Sequence, residues 1–279
     1  LKRLHTIFKY EKEKAMDLQL KGKTAIVTAA TAGIGLAIAK TLAKEGTDVI
    51  ITGRTQDKLV AAVAEIEANA PLGKVCGFLA DLSTSEGVET LISQHPYTDI
   101  LVNNLGYYEA KPFTEITDED WWHMLNVNVM SGVRLSRHYF PKMLENNWGR
   151  VIFMSSEVGA FTPPDMVHYG VSKSALLAVS RGMAELTKGT GVTVNSVLPS
   201  ATRSEGIMDY LRQTAPRPNM TDQQIEAHFF ETYRPSSLIA RMIEADEIAS
   251  MVALLASPLG SASNGAAVRV EGGTFRSIL

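Results

Sequence analysis

Tyr169 and Lys173 stand at i and i+4 within "HYGVSKSALLAV", residues 168–179. On a helix such positions lie nearly above one another, so the ammonium would sit beside the phenol. A free phenol has a pKa of ~10 and is a weak acid and a worse base near neutrality. A cation close by favours the phenolate and lowers that value. The pair is therefore either an ordinary helix-surface neighbour or an acid–base centre. Ser156 ends the apolar run "RVIFMSS", and a loop plus one helical turn can bring its hydroxyl and that of Tyr169 to opposite sides of one carbonyl. Asn128 is a polar amide within the buried-looking helical stretch "WWHMLNVNVMSGVRLSRHYF". At its simplest it bonds a backbone carbonyl.

These residues need a frame. Apolar, β-rich runs fall at 24–29, 48–52, 74–80, 99–104, 150–155, 192–198 and 266–270. Most are apolar on consecutive residues, the pattern of strands covered on both faces. Helix-like stretches lie between them at 33–45, 56–69, 84–93, 117–146, 166–188 and 245–256. The alternation predicts βαβ units and an α/β fold: a single-domain, Rossmann-type doubly wound sheet of about seven parallel strands. Residues 203–240 interrupt it with prolines, aromatics and charges, and read as a helical flap over a site. Ligands of such a sheet meet the carboxyl ends of its strands, which is where Ser156 falls.

The chain has 279 residues, 45% of them hydrophobic and 20% charged, with a net charge of −3. That balance offers no global attraction to nucleic acid or to anionic membranes. No apolar run approaches the ~20 residues that span a bilayer. The single cysteine, Cys76, excludes an intramolecular disulfide and a cysteine-based zinc site; it reads as a buried strand thiol and favours a cytoplasmic location. No residue is assigned to a metal. Residues 1–17 read as an extension, mobile or artificially added, with a natural start near Met16, and 18–279 as one domain including the flap.

"TAIVTAATAGIGLAIAKTLAKEG" reads as strand, tight turn and helix. Gly33 and Gly35 let the backbone approach a pyrophosphate, whose charge the helix N–H groups stabilise. No acid stands at Thr52 or Gly53 to hold a ribose 2′-hydroxyl, and Arg54 follows; a guanidinium pairs with a 2′-phosphate, which favours NADP(H) over NAD(H). Asp81 could accept from an adenine amino group or simply cap the next helix. Asn103 and Asn104 can lock neighbouring loops through hydrogen bonds to backbone, and Gly106 allows a close approach.

Taken in order, "TAATAGIG", "NNLG", Asn128, Ser156, "YGVSK", "VLPSATRS" and "VEGG" resemble the short-chain dehydrogenase/reductase family from about Leu18 to about Gly273. The resemblance implies a catalytic tetrad of Asn128, Ser156, Tyr169 and Lys173. Tyr169 would exchange the proton while a nicotinamide carries the hydride, and Lys173 would also bind ribose hydroxyls. Ser156 would hold the carbonyl oxygen, and Asn128 a water leading to Lys173. It further implies cofactor contacts at Thr28, Thr31, Gly33, Ile34, Gly35, Arg54, Asp81, Leu82, Asn104, Gly106, Pro199, Thr202 and Ser204. Four positions depart from the family pattern: Ala29, Leu105, Ser200 and Glu271 replace glycine, alanine, glycine and aspartate. At Ala29, which ends a strand, no positive φ is expected.

The resemblance points to an NADP(H)-dependent oxidoreductase, NAD(H) being possible, that interconverts a ketone and a secondary alcohol. A 3-oxoacyl-[acyl-carrier-protein] reductase and a non-catalytic NADP(H)-binding regulatory protein are the rivals. Homodimers or homotetramers packed through the helices at 117–146 and 166–188 are implied too. Glu157, Tyr107, Tyr108, Phe161 and His168 are candidates to line the substrate pocket, and Arg203, Arg212, Arg217 and Arg234 hint at an anionic substrate.

Overall fold

A computed structural model describes residues 16–69, 71–213 and 215–278. The extension expected at 1–17 falls almost wholly outside them. Seven strands, β1 (Thr24–Val27), β2 (Asp48–Gly53), β3 (Val75–Leu79), β4 (Ile100–Asn103), β5 (Gly149–Met154), β6 (Val192–Pro199) and β7 (Ala267–Val270), form one sheet. The order is β3-β2-β1-β4-β5-β6-β7, with every pairing parallel. Progression along the sheet reverses between β1 and β4, which opens a crevice at the carboxyl edge.

Consecutive apolar residues are used on both faces. On one, Ala25 and Val27 of β1 and Val49 and Ile51 of β2 pack against α1 (Gly33–Lys44), α2 (Gln56–Ala68) and α9 (Ala245–Ala256). On the other, Ile26, Leu101, Val151 and Phe153 pack against α3 (Ser85–Gln94) and two longer helices, α5 (Ser131–Glu145) and α6 (Val167–Glu185). The flap is helical as expected: α7 (Glu205–Gln213) and α8 (Asp222–Tyr233) meet through Met208, Leu211, Ile225, Phe230 and Met242.

Three expectations are corrected. Cys76 is exposed, because β3 is an edge strand covered incompletely. The helix expected at 117–146 is divided into α4 (Asp118–Leu125), a π-helical turn (Asn126–Met130) and α5. The wider turn carries Asn128, and π-turns concentrate where a side chain must be re-aimed. Ala29 lies in the left-handed region, with φ 51°. The chain turns there directly out of β1 to reach α1, and alanine bears the strain of its Cβ.

Replacing Ala29 by glycine should therefore stabilise the fold by about 1 kcal/mol. Urea unfolding reads this as a higher midpoint at unchanged slope; a lower midpoint would contradict the strain.

Candidate active site

A cleft of about 930 Å³ runs along the carboxyl ends of β1, β4, β5 and β6. At one end α1 begins at Gly33 behind Ala32, whose side chain offers no cap, so the first helical N–H groups are unsatisfied by the helix. Gly35 has no room for a side chain: a Cβ there would stand 2.7 Å from the Ala29 carbonyl oxygen and 2.5 Å from Asn104 Nδ2. Asn104 locks the crevice as anticipated, its Nδ2 donating to the carbonyls of Thr28 at 3.0 Å and Ala29 at 3.1 Å. The Thr28 hydroxyl accepts from the backbone N–H groups of Asn104 at 2.8 Å and Leu105 at 2.9 Å. Thr28 is fully buried and serves as a brace beneath the cleft wall.

The other end holds Ser156, Tyr169 and Lys173. The Ser155 hydroxyl donates to the Lys173 carbonyl at 2.9 Å, and Lys173 Nζ donates to the Met154 carbonyl at 2.9 Å, pinning α6 onto the end of β5. Lys173 Nζ lies 5.7 Å from the centre of the Tyr169 ring. The Ser156 hydroxyl and the Tyr169 phenol line the same end of the cleft. The three groups expected to act together thus converge. Gly106 closes in from the β4 loop: a Cβ there would be 3.1 Å from Lys173 Nζ.

The electrostatics differ from expectation. Burial brings the Lys173 amine down to about 8. Burial also pushes the Tyr169 phenol up; the Ser156 hydroxyl pulls it down, while Glu157 and Tyr108 raise it further. In this cleft desolvation outweighs any lowering of the phenol by the lysine, so the acid form of Tyr169 is the favoured one.

Thr31, Gly33, Ile34, Gly35, Asn104, Gly106, Pro199, Thr202 and Ser204 all line the cleft with Ser156, Tyr169 and Lys173. Arg54, Asp81, Leu82 and Asn128 stand outside its wall. Arg54 is exposed at the end of β2 and makes no hydrogen bond or ion pair among the described residues. Asp81 accepts from the Ser83 hydroxyl at 2.7 Å. That contact, chiefly, holds its carboxyl below the usual range, and the nearby Arg54 charge adds to the effect. Thr84, not Asp81, caps α3. Leu82 is a core side chain. Asn128 is 2% exposed and clamps a loop: Oδ1 accepts from the Tyr107 N–H at 2.8 Å, and Nδ2 donates to the Tyr107 carbonyl and to Ser172 Oγ, both at 2.9 Å.

Of the pocket candidates, Tyr107, Tyr108 and Glu157 line the cleft; Phe161 and His168 do not. His168 is fully buried, with Glu109 Oε2 at 3.6 Å. Most flap arginines are paired with carboxylates. Arg203 pairs with Glu226 at 2.7 Å and Glu244 at 2.8 Å, and Arg212 with Asp209 and Asp222, each at 2.7 Å. Arg217 is exposed. Arg234 enters the cleft itself. Sequence reading missed Lys58, Met166 and Phe229 as lining residues; nothing local sets them apart from surface or core positions.

Replacing Asn128 by alanine should cost about 2 kcal/mol, because the half-buried Tyr107 backbone groups and the buried Ser172 hydroxyl lose a partner. Urea unfolding measures this, and a change within experimental error would show the clamp to be dispensable.

The short chain dehydrogenase family model matches residues 23–215. The uncharacterized oxidoreductase YvaG of Bacillus subtilis is 45% identical over 94% of this chain and 100% of its own length. The 3-oxoacyl-[acyl-carrier-protein] reductase FabG of Aquifex aeolicus is 31% identical over 93% of this chain and 100% of its own. In three dimensions the chain is similar to L-sorbose reductase from Gluconobacter frateurii, solved with NADPH and L-sorbose. The TM-score is 0.86 at 27% identity, over 94% of this chain and 100% of that one. The sheet order, the crevice and these likenesses agree, and the chain belongs to the short-chain dehydrogenase/reductase family of oxidoreductases.

Proposed function

We propose that this oxidoreductase uses NADP(H) to interconvert a ketone and its secondary alcohol, with Tyr169 exchanging the proton. The observation that carries the reading is the meeting of Ser156, Tyr169 and Lys173 at one end of a cleft whose other end is an uncapped helix. That helix end fits a dinucleotide: free N–H groups with a positive dipole favour a pyrophosphate, and the space a Cβ would fill at Gly35 keeps the turn tight. When bound, the nicotinamide supplies or accepts the hydride.

The chain's own residues do the rest. Thr31, Gly33, Ile34 and Gly35 would hold the pyrophosphate. Arg54 would pair with the 2′-phosphate, and Asp81 and the Leu82 backbone would face the adenine. Thr28 and Asn104 keep the crevice open, Gly106 lets the ribose side approach, and Pro199, Thr202 and Ser204 would contact the carboxamide. Lys173 would donate to ribose hydroxyls. Ser156 would hold the substrate oxygen while the Tyr169 phenol gives up its proton to it in reduction and recovers it in oxidation. A phenol raised by burial suits the first task at neutral pH. Asn128, through Tyr107 and Ser172, would keep the Lys173 side of the cleft in place.

The bound NADPH of the L-sorbose reductase structure supports the cofactor, and so does Arg54, which is exposed at the end of β2 and makes no ion pair among the described residues. The similarity to the Aquifex aeolicus protein favours 3-oxoacyl thioester reduction as a second reading. A regulatory protein without turnover would not need Tyr169, Lys173 and Ser156 held together. We also propose self-association through α5 and α6, where Val171 is exposed on α6 and Leu186 just past its end; a monomer in sedimentation would refute it.

Tyr169→Phe should lower kcat by about three orders of magnitude while the Kd for NADPH stays nearly unchanged. Arg54→Ala should shrink the preference for NADPH over NADH by about tenfold, read as a ratio of Kd values; an unchanged ratio contradicts the 2′-phosphate contact. Lys173 loses its proton as the pH rises through about 8, so NADPH affinity should fall across that value. Titration showing equal affinity on both sides of it would remove this role for the lysine charge.

A further inference from the structure

Glu157 directly follows Ser156 and is 3% exposed, yet it carries a carboxylate into the cleft. Three elements converge on it. Oε2 accepts from the Ser156 hydroxyl at 3.1 Å; Oε1 accepts from the Ser200 hydroxyl at 3.1 Å, beyond the end of β6. Oε1 also accepts from Arg234 Nε at 3.3 Å, at the end of α8. Arg234 spends one further donor, Nη1, on the Tyr233 carbonyl at 2.8 Å. Its Nη2 makes no hydrogen bond among the described residues, and both side chains line the cleft beside Ser156 and Tyr169.

A buried ion pair of this kind is costly to desolvate, and it stabilises little unless its remaining donors and acceptors are used. Phe229, over which the Arg234 guanidinium stacks, would serve an apolar substrate without any ion pair. Burial pushes the Glu157 carboxyl up while Arg234 beside it pulls it back down, so the pair offers oxygen acceptors next to a cationic donor. A substrate carboxylate would compete with Glu157 for Arg234 and leave the buried Glu157 oxygens without their partner. An acyl chain would bury Nη2 and the remaining Oε2 lone pair without partners, at a penalty for each. The group that satisfies both is neutral, and both donates and accepts. A hydroxyl is such a group.

We propose that Glu157 and Arg234 are specificity residues that bind a hydroxyl on a carbon next to the reacting carbonyl, so that the substrate is a hydroxyketone and the product a polyol. This rests on the ketone–alcohol reading above and narrows its substrate. It also separates that reading from 3-oxoacyl thioester reduction. The reaction stays balanced as before: the hydride goes to the carbonyl carbon and the Tyr169 proton to its oxygen, while the neighbouring hydroxyl is only held.

The test is NADPH consumption with 1,3-dihydroxyacetone, with pentan-3-one, in which each hydroxyl is replaced by a methyl, and with acetoacetyl-coenzyme A. Wild type should show a kcat/KM for dihydroxyacetone about 100-fold or more above that for pentan-3-one, because a site built to bond a hydroxyl rejects the analogue lacking it. Glu157→Gln and Arg234→Leu should each remove most of that ratio, lowering kcat/KM for dihydroxyacetone far more than for pentan-3-one. If the variants lose both ketones equally at unchanged ratio, the pair merely holds the flap and the proposal is overturned. Preference for pentan-3-one or the thioester, abolished by Tyr169→Phe, overturns it while the ketone–alcohol reading survives. If no carbonyl compound is reduced, that reading fails and takes this one with it. Should either variant fail to fold, Ser200→Ala, which removes one donor to Glu157, should lower the ratio about fivefold; an unchanged ratio counts against the proposal.

Discussion

Two reciprocal hydrogen bonds at one residue hold the cleft together. Lys173 reaches back to the Met154 carbonyl, and the Ser155 hydroxyl reaches forward to the Lys173 carbonyl. With them, the first turns of α6 are fixed against the carboxyl end of β5. Tyr169, one turn earlier on α6, then has no choice but to face Ser156, one residue past Ser155. Without this seam the phenol, hydroxyl and ammonium would belong to two independent elements. Burial keeps the lysine from its usual strongly basic state and the phenol from ready ionisation. The same burial that fixes the geometry sets the proton chemistry.

The opposite end of the cleft depends on backbone rather than side chains. Ala29 turns with a positive φ, Ala32 leaves α1 uncapped, and Asn104 bonds both carbonyls at the end of β1. Each feature is mildly unfavourable or neutral for an isolated βα unit. Together they expose a row of N–H groups at the place where the strand order reverses. Strain and unmet hydrogen-bonding capacity collect where a ligand is to be held, as in many functional sites.

Between the two ends the flap closes over the cleft through charge. Arg203 and Arg212 staple it internally and to its neighbours, whereas Arg234 goes inward to Glu157. The polar wall next to Ser156 therefore consists of paired charges, a different surface from the anion-binding one that four flap arginines suggest in sequence.

Much of this molecule was legible in one dimension. Runs such as "AIV" and "VIFM" are apolar at every step, which only strands covered on both faces require, and the helices between them fix the parallel order. The spacing of Tyr169 to Lys173 is set by helical pitch, so their proximity follows from sequence alone. What sequence left open depends on contacts between distant segments. Cys76 is exposed because β3 ends up at the sheet edge, a matter of strand order. Ala29 takes its left-handed turn because the chain must leave β1 directly to reach α1. The π-turn at Asn128 answers a loop around Tyr107, and the fate of Glu157 is decided by an arginine at the end of α8. Local periodicity records which face of an element is buried; only the folded chain decides which neighbour buries it, and hence which charges meet and which pKa values move.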